Sequence, residues 1–398
     1  MKHEVKNGIL TVFLEGRIDA GNADAVESEL NDILSKEAGM KPVFDAGDLE
    51  YISSAGLRLL YKLEKGSGEK LSIINTSGDV YEILETTGFT ELFRVRRKLR
   101  EISVDGCTLI GSGAYGNVYR IDGETIAKIY REGVPLEFVE GEKEAAKRAF
   151  VLGMPTAISF DVVKCGNCYG TVYEILDAKT VSQLLNEDPS SLAHLSEMMG
   201  KSLKDIHKIV VPESSSFESR KEIMKSWLST MESYLTGDEY KKIAGFLDSI
   251  PEKRTFLHGD FNTNNVMIKD DEINLIDVGD AAYGHPVFDM AMGVFFFKVL
   301  AGTQLVPGLN EELRKRLVGF DLSLAPKIWE IICKTYFDVK TDKEVEEITK
   351  KIMPLSQIYF AYQGSSTGRT SPEDMTAALI RPVLMPMLEE TPTLEIDM

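Results

Sequence analysis

A glycine-rich stretch, Gly111-Ser112-Gly113-Ala114-Tyr115-Gly116-Asn117-Val118, precedes Lys128, and far downstream come His258-Gly259-Asp260-Phe261-Asn262-Thr263-Asn264-Asn265 and Asp277-Val278-Gly279. None of these constrains a fold alone. Together, in this order, they demand one that carries a loop and a lysine onto two carboxylates and an amide. That set is what a protein needs to hold Mg-ATP and deliver its terminal phosphoryl group to a hydroxyl.

The first half can be argued from local geometry. Arg120-Ile121-Asp122-Gly123-Glu124-Thr125 reads as a two-residue hairpin turning at Asp-Gly, and counting outwards pairs Val118 with Ala127. Two small apolar side chains facing each other suit the two sides of an adenine ring. Gly111, Gly113 and Gly116 lack Cβ atoms, so the amides ahead of Val118 are expected to close over phosphate oxygens. Lys128 supplies a point charge for the α- and β-phosphates. Glu142 on the following helix is expected to hold that lysine, with Glu144 as the alternative.

In the second half, Phe256-Leu257-His258-Gly259-Asp260 is an apolar strand end that delivers an acid. Asp260 is suited to orient an acceptor hydroxyl and take its proton. Asn265 and Asp277 are oxygen donors, the type hard Mg²⁺ requires. Gly279 is expected to permit a tight turn behind Asp277.

From about residue 103 to 390 the chain resembles the aminoglycoside phosphotransferase and choline kinase superfamily, small-molecule relatives of the protein kinases. His258-Gly259-Asp260 with Asn265 matches its catalytic motif, which has Gly where most protein kinases have Arg, and Asp277 matches its second metal ligand. The resemblance implies ATP and Mg²⁺ as cofactors, Asp260 as catalytic base, and an interlobe hinge at Tyr173-Glu174-Ile175-Leu176 where Glu174 and Leu176 meet adenine. It also implies structural roles for His207 and Asp289. The glycine-rich loop is closer to that of protein kinases than to that of many antibiotic kinases, so the acceptor stays open. The expected fold is two-lobed α+β and protein-kinase-like over 104–398, with a small lobe over 104–173 and a helical lobe over 174–398. Glu330, Asp338, Tyr359 and Glu373 lie on late segments where such enzymes bind their acceptor.

Residues 1–97 read as a separate α/β unit, a mixed sheet with helices, joined by a linker at 98–103. Gly8–Gly16, Pro42–Asp45 and Leu71–Ile74 are strand-like, with a loop after Asp45. Ala23–Leu34, Ala55–Leu63 and Val80–Glu85 show helical apolar spacing. Ser53 or Ser54 fits a helix cap. Asp48-Leu49-Glu50-Tyr51-Ile52-Ser53-Ser54-Ala55-Gly56-Leu57-Arg58, with Arg17-Ile18-Asp19 and Thr87–Phe93, resembles the STAS domains of anti-sigma factor antagonists. The resemblance implies a regulatory module that docks on a protein partner and a serine phosphorylated on the loop. Aligning Gly56 with that family's Asp-Ser-Ser-Gly pattern puts Ala55 at the acceptor position, leaving Ser54 as first candidate and Ser53 as second. A phosphate there would break docking by charge and desolvation.

The net charge of −18 argues against nucleic acid as a partner. The basic run Arg94–Arg100 reads as a solvated linker or interdomain contact. Met1–Asn7 holds no apolar signal core, and Val294–Leu300 is too short to span a bilayer, so a cytoplasmic chain without membrane contact is expected. Cys165-Gly166-Asn167-Cys168 has metal-ligand spacing but also reads as a hairpin turn, and free thiols are expected.

Overall fold

The computed structural model describes residues 1–398 except 7, 38, 68–69, 114, 303–309, 367, 369 and 397; Asn7 and Ala114, in stretches read above, lie outside it. The chain divides into two compact units, Met1–Ser103 with Val163–Gly166, and Val104–Val162 with Asn167–Met398.

In the first unit, β1 (His3–Lys6), β2 (Ile9–Ile18), β3 (Lys41–Ile52), β4 (Ser72–Thr76) and β5 (Arg94–Arg97) form one sheet in that order. β1 runs antiparallel to β2, and the remaining pairs are parallel. Leu10, Val12 and Leu14 alternate into the core, as a strand covered on that face requires. Parallel neighbours need crossovers, supplied by α1 (Ala23–Lys36), α2 (Ser54–Ser67) and α3 (Gly78–Thr86); α4 (Phe89–Leu92) then leads into β5. Leu30, Phe44, Leu60, Ile73, Leu84 and Phe93 build the core between sheet and helices.

Two expectations are corrected here. No loop follows Asp45: β3 continues to Ile52, because two shifts of register against β2 bring both Leu49 and Ile52 into the core, paired with Gly16 and Ile18. The basic run does not begin as a linker either. Arg94–Arg97 is an edge strand on β4, with Arg97 stacked 4.0 Å over the Tyr81 ring. Beyond it lies a two-residue strand, β6 (Arg100–Glu101).

The second unit opens with β7 (Thr108–Ser112), β8 (Gly116–Arg120), β9 (Thr125–Tyr130), α5 (Leu136–Val151), β10 (Ser159–Cys165) and β11 (Cys168–Glu174), the strands ordered β10-β11-β9-β8-β7. Cys165 and Cys168 flank the β10–β11 turn, where Gly166 takes φ 58°. The helical part contains α6 (Val181–Glu187), α7 (Leu192–Ile206), α8 (Arg220–Thr230), α9 (Gly237–Ser249), α10 (Val287–Val294), α11 (Glu311–Val318), α12 (Ala325–Phe337) and α13 (Asp342–Ser366). Its core joins Phe246, Phe256, Phe288, Trp329, Leu355 and Ile358. Two small sheets are set into it: β12 (Lys179–Thr180), β14 (Val266–Lys269) and β15 (Glu272–Leu275) in one, β13 (Thr255–Leu257) and β16 (Ala282–Gly284) in the other. Asp260–Asn265 span the crossing from β13 to β14, and Asp277 follows β15, so these two sheets position both downstream motifs.

Candidate active site

Lys128 projects from β9 and is shared by two acids. Its Nζ lies 2.6 Å from Glu142 Oε1 and 3.0 Å from Asp277 Oδ1. Glu142 sits on the inner face of α5 with Val139, Ala145 and Ala149, only 8% exposed, while Glu144 is half-buried and pairs with Lys143 instead. Burial works against the Lys128 charge, yet the Asp277 and Glu142 carboxylates hold its pKa well above the ordinary range. Burial likewise opposes the charge on Asp277, and the ammonium wins, holding it low. Burial draws Glu142 upward against the same ammonium. Gly279 serves this cluster through space rather than through a special backbone angle: a Cβ there would come 2.9 Å from Glu142 Cγ. The unusual backbone is at Asp277, with φ 60°, a region aspartate tolerates better than most residues.

The register of the loop hairpin differs from expectation by one residue. Ile121 N donates to Thr125 O, making a three-residue loop, and Val118 consequently opposes Lys128, not Ala127. Side chains alternate along a strand, so Val118, Ile126 and Lys128 share one face and the fully buried Ala127 points the other way. Of the three glycines, Gly116 is the one sterically required, since a Cβ would run into the Ile129 carbonyl. Gly113 spends its amide on Gly116 O at 2.8 Å, so that amide is not free for a phosphate.

Asp260 is gripped from its own loop. Asn265 Nδ2 donates to Asp260 Oδ2 at 2.8 Å and Asn262 Nδ2 to Oδ1 at 3.0 Å. Burial, reinforced by the Asp277 and Asp280 carboxylates, pushes its pKa up to about 8 against those two bonds. Ile276 N donates to Asn265 O at 3.0 Å, tying this loop to the strand that delivers Asp277. Behind it, Asp289 accepts from the amides of His258 and Gly259, both at 2.8 Å, and lies 3.2 Å from His207 Nε2. His207 Nδ1 meets the Tyr336 hydroxyl at 2.6 Å.

The hinge stretch ends β11. The Glu174 and Ile175 amides are taken by the Ile158 and Glu124 carbonyls. Among the late positions, Tyr359 is buried and donates to Gly259 O at 2.6 Å, which makes it a prop of the loop. Glu330 is bound to Lys327 and Lys334, Asp338 pairs with Lys204, and Glu373 is exposed. Sequence reasoning missed Asn262 and Asp280. Asn262 had a signal, lying two residues after Asp260 in a polar turn; Asp280 had none.

Residues 106–319, more than half of the chain, match the family described as phosphotransferase enzyme family. The chain belongs to that family. Residues 1–102 match the STAS domain, so the phosphotransferase domain is preceded by a STAS domain. A Bordetella bronchiseptica protein that bears the name of an anti-sigma factor antagonist, BtrV, is 36% identical over 93 residues, which is 22% of this chain and 78% of that protein. Similar solved structures include the gentamicin complex of APH(2")-IIa (16% identity, 79% of this chain and 98% of that one, TM-score 0.45). Amicoumacin kinase hAmiN with AMP-PNP, Ca²⁺ and its antibiotic gives 15%, 79%, 94% and 0.46. A choline/ethanolamine kinase family protein of Mesorhizobium loti gives 13%, 71%, 88% and 0.40. Among the described residues, no helix is long and apolar enough to cross a membrane.

Proposed function

We propose that this chain is an ATP-dependent phosphotransferase that uses Mg²⁺, takes the hydroxyl of a small molecule as acceptor, and carries its STAS domain as a regulatory, partner-binding module. The observation that carries the reading is the convergence of Lys128 on Glu142 and Asp277, together with the grip of Asn265 on Asp260.

The donors fit the cation. Asn265 spends its amide nitrogen on Asp260, which turns its carbonyl oxygen to other use, and Asp277 has one oxygen beyond the one on Lys128. Both are hard oxygen ligands. Bound there, Mg²⁺ would neutralise phosphate charge and favour the ionised form of the raised Asp260 carboxyl. Lys128, fixed by Glu142, is the phosphate-binding cation. Val118 and Ile126, which share a sheet face, are both assigned to one side of the adenine, Ile126 replacing Ala127, and the Glu174 carbonyl and Leu176 amide to its edge. Asp260 orients the acceptor hydroxyl and takes its proton on a carboxylate oxygen as the hydroxyl oxygen bonds to the γ-phosphorus and the bond from that phosphorus to the β,γ-bridging oxygen breaks, releasing ADP. The two asparagines fix the direction in which that carboxylate points.

ATP consumption by the full chain with Mg²⁺, measured against aminoglycosides, choline-like amino alcohols and sugars, tests the reading. Asp260→Asn should lower acceptor-dependent turnover by roughly 10²- to 10⁴-fold while leaving nucleotide affinity nearly unchanged. Equal turnover in the two proteins would remove Asp260 from the chemistry. A second reading, with a protein serine as acceptor, is favoured by the exposure of Ser54 at the first position of α2. Mass spectrometry after incubation with Mg-ATP separates the two, since phosphate on Ser54 or Ser53 belongs only to the second.

A further inference from the structure

We propose that Arg220 is a positioning residue of this site, a buried guanidinium that ties the turn after Asp277 to the glycine before Asp260. The inference rests on the function proposed above. Arg220 is the first residue of α8, behind the cap Ser219, and is 2% exposed. Both circumstances oppose a cation: the start of a helix is its positive pole, and a buried charge needs a partner. Among the described residues it forms no ion pair. Its Nη2 donates to the Asp280 carbonyl, and its buried Nε has no partner.

Glycines make the place. A Cβ on Gly259 would come 2.5 Å from Arg220 Nη2, and one on Gly284 would come 3.5 Å from Arg220 Cβ. The stem thus lies against Gly284 and the head against Gly259, whose φ is 84°. Gly259 is the middle residue of His-Gly-Asp, where most protein kinases carry arginine. Here a guanidinium reaches the flank of that residue from α8 instead. Tyr359 closes the arrangement, donating to Gly259 O at 2.6 Å with its ring centroid 5.9 Å from the guanidinium carbon.

Asp280 ends the short turn Val278–Asp280 that follows Asp277, and Gly259 adjoins Asp260. One side chain, bonded to the first segment and packed on the second, therefore sets the distance between the assigned metal ligand and the assigned base. Residues that orient a ligand in this way are costly to remove even though they touch no metal.

The test is the Mg²⁺ dependence of binding of a fluorescent ATP analogue to the full chain, in wild type, Arg220→Met and Arg220→Lys. The Met variant keeps the stem and loses charge and donors. It should need about 10-fold more Mg²⁺ for half-saturation, with metal-free nucleotide affinity unchanged and the Lys variant between the two. A merely space-filling arginine would change melting temperature and the fraction of competent sites, but not the Mg²⁺ midpoint of those that remain. A wild-type midpoint in the Met variant overturns the proposal. Should that variant not fold, a wild-type midpoint in Arg220→Lys overturns it equally. A wild type that binds Mg-nucleotide but transfers no phosphoryl group would sink the function and leave the tether standing; one that binds no nucleotide would sink both.

Discussion

His285 lies in the segment between Asp277 and Asp289, 2% exposed, with Nδ1 accepting from Val287 N at 3.2 Å. Burial, aided by Lys253 and His207, lowers its pKa from 6.5 to about 4. The unfolded chain therefore binds the extra proton in this window. Stability from the neutral imidazole is complete above pH 6.5 and drains away as the pH falls towards about 4. Urea unfolding should accordingly show wild type losing stability more steeply than His285→Gln between about pH 7 and about pH 4.5. Parallel curves would mean that the imidazole is not held neutral by its surroundings.

Among the elements, α2 begins with a division of labour between two adjacent serines. Ser53 is the cap: its Oγ accepts from Ala55 N at 3.2 Å and its amide donates to Ile18 O at 2.9 Å. Ser54 is exposed and has no such bond among the described residues. Chemical denaturation should find Ser53→Ala destabilising by about 1 kcal/mol and Ser54→Ala close to neutral. A larger loss at Ser54 would reverse the assignment. Gly56 completes this start, because a Cβ would come 2.7 Å from Ile52 Cγ1 and 2.8 Å from Ile18 Cγ2. The β8–β9 register makes another contrast. Ile126→Ala should weaken nucleotide binding with little change in melting temperature. Ala127→Val, overpacking the buried face, should cost about 1–3 kcal/mol of stability. Equal effects of the two on affinity would restore Ala127 to the adenine side.

At the scale of the molecule, each unit owns an apolar core: Leu10 to Phe93 in the STAS domain, and residues from Ala145 to Leu394 in the phosphotransferase domain. Separate cores predict two calorimetric transitions. Mg-ATP at about 100 times its Kd should stabilise the one belonging to the Lys128 unit by about 2.7 kcal/mol and leave the other in place. Movement of the other transition alone would put the nucleotide in the wrong unit.

Much of this was written locally. Strand alternation at Leu10, Val12 and Leu14, helical spacing on α1 and α3, and motifs whose members need fixed residue types depend on near neighbours in the chain, so they survive being read as a string. Pairing of Lys128 with Glu142 was also legible, because a buried ammonium demands an acid and few were within reach. What the string concealed is whatever depends on the exact geometry of a turn or on distant segments meeting. The hairpin loop took a third residue, and that single step of register exchanged Ala127 for Ile126. Helix α13 carries Pro354, a breaker by local rules, yet Leu355, Ile358 and Tyr359 are buried in the core and hold it. Arg220 had no motif at all. Its meaning arises where Gly259, Gly284 and Asp280 leave room for one guanidinium, and burial without an ion pair is a property of packing. The sequence alone determined the two domains' chemistry class, since residue type and order carry it; only the tertiary structure decided which side chains share a face, because that is set by register and packing between parts of the chain that never meet along it.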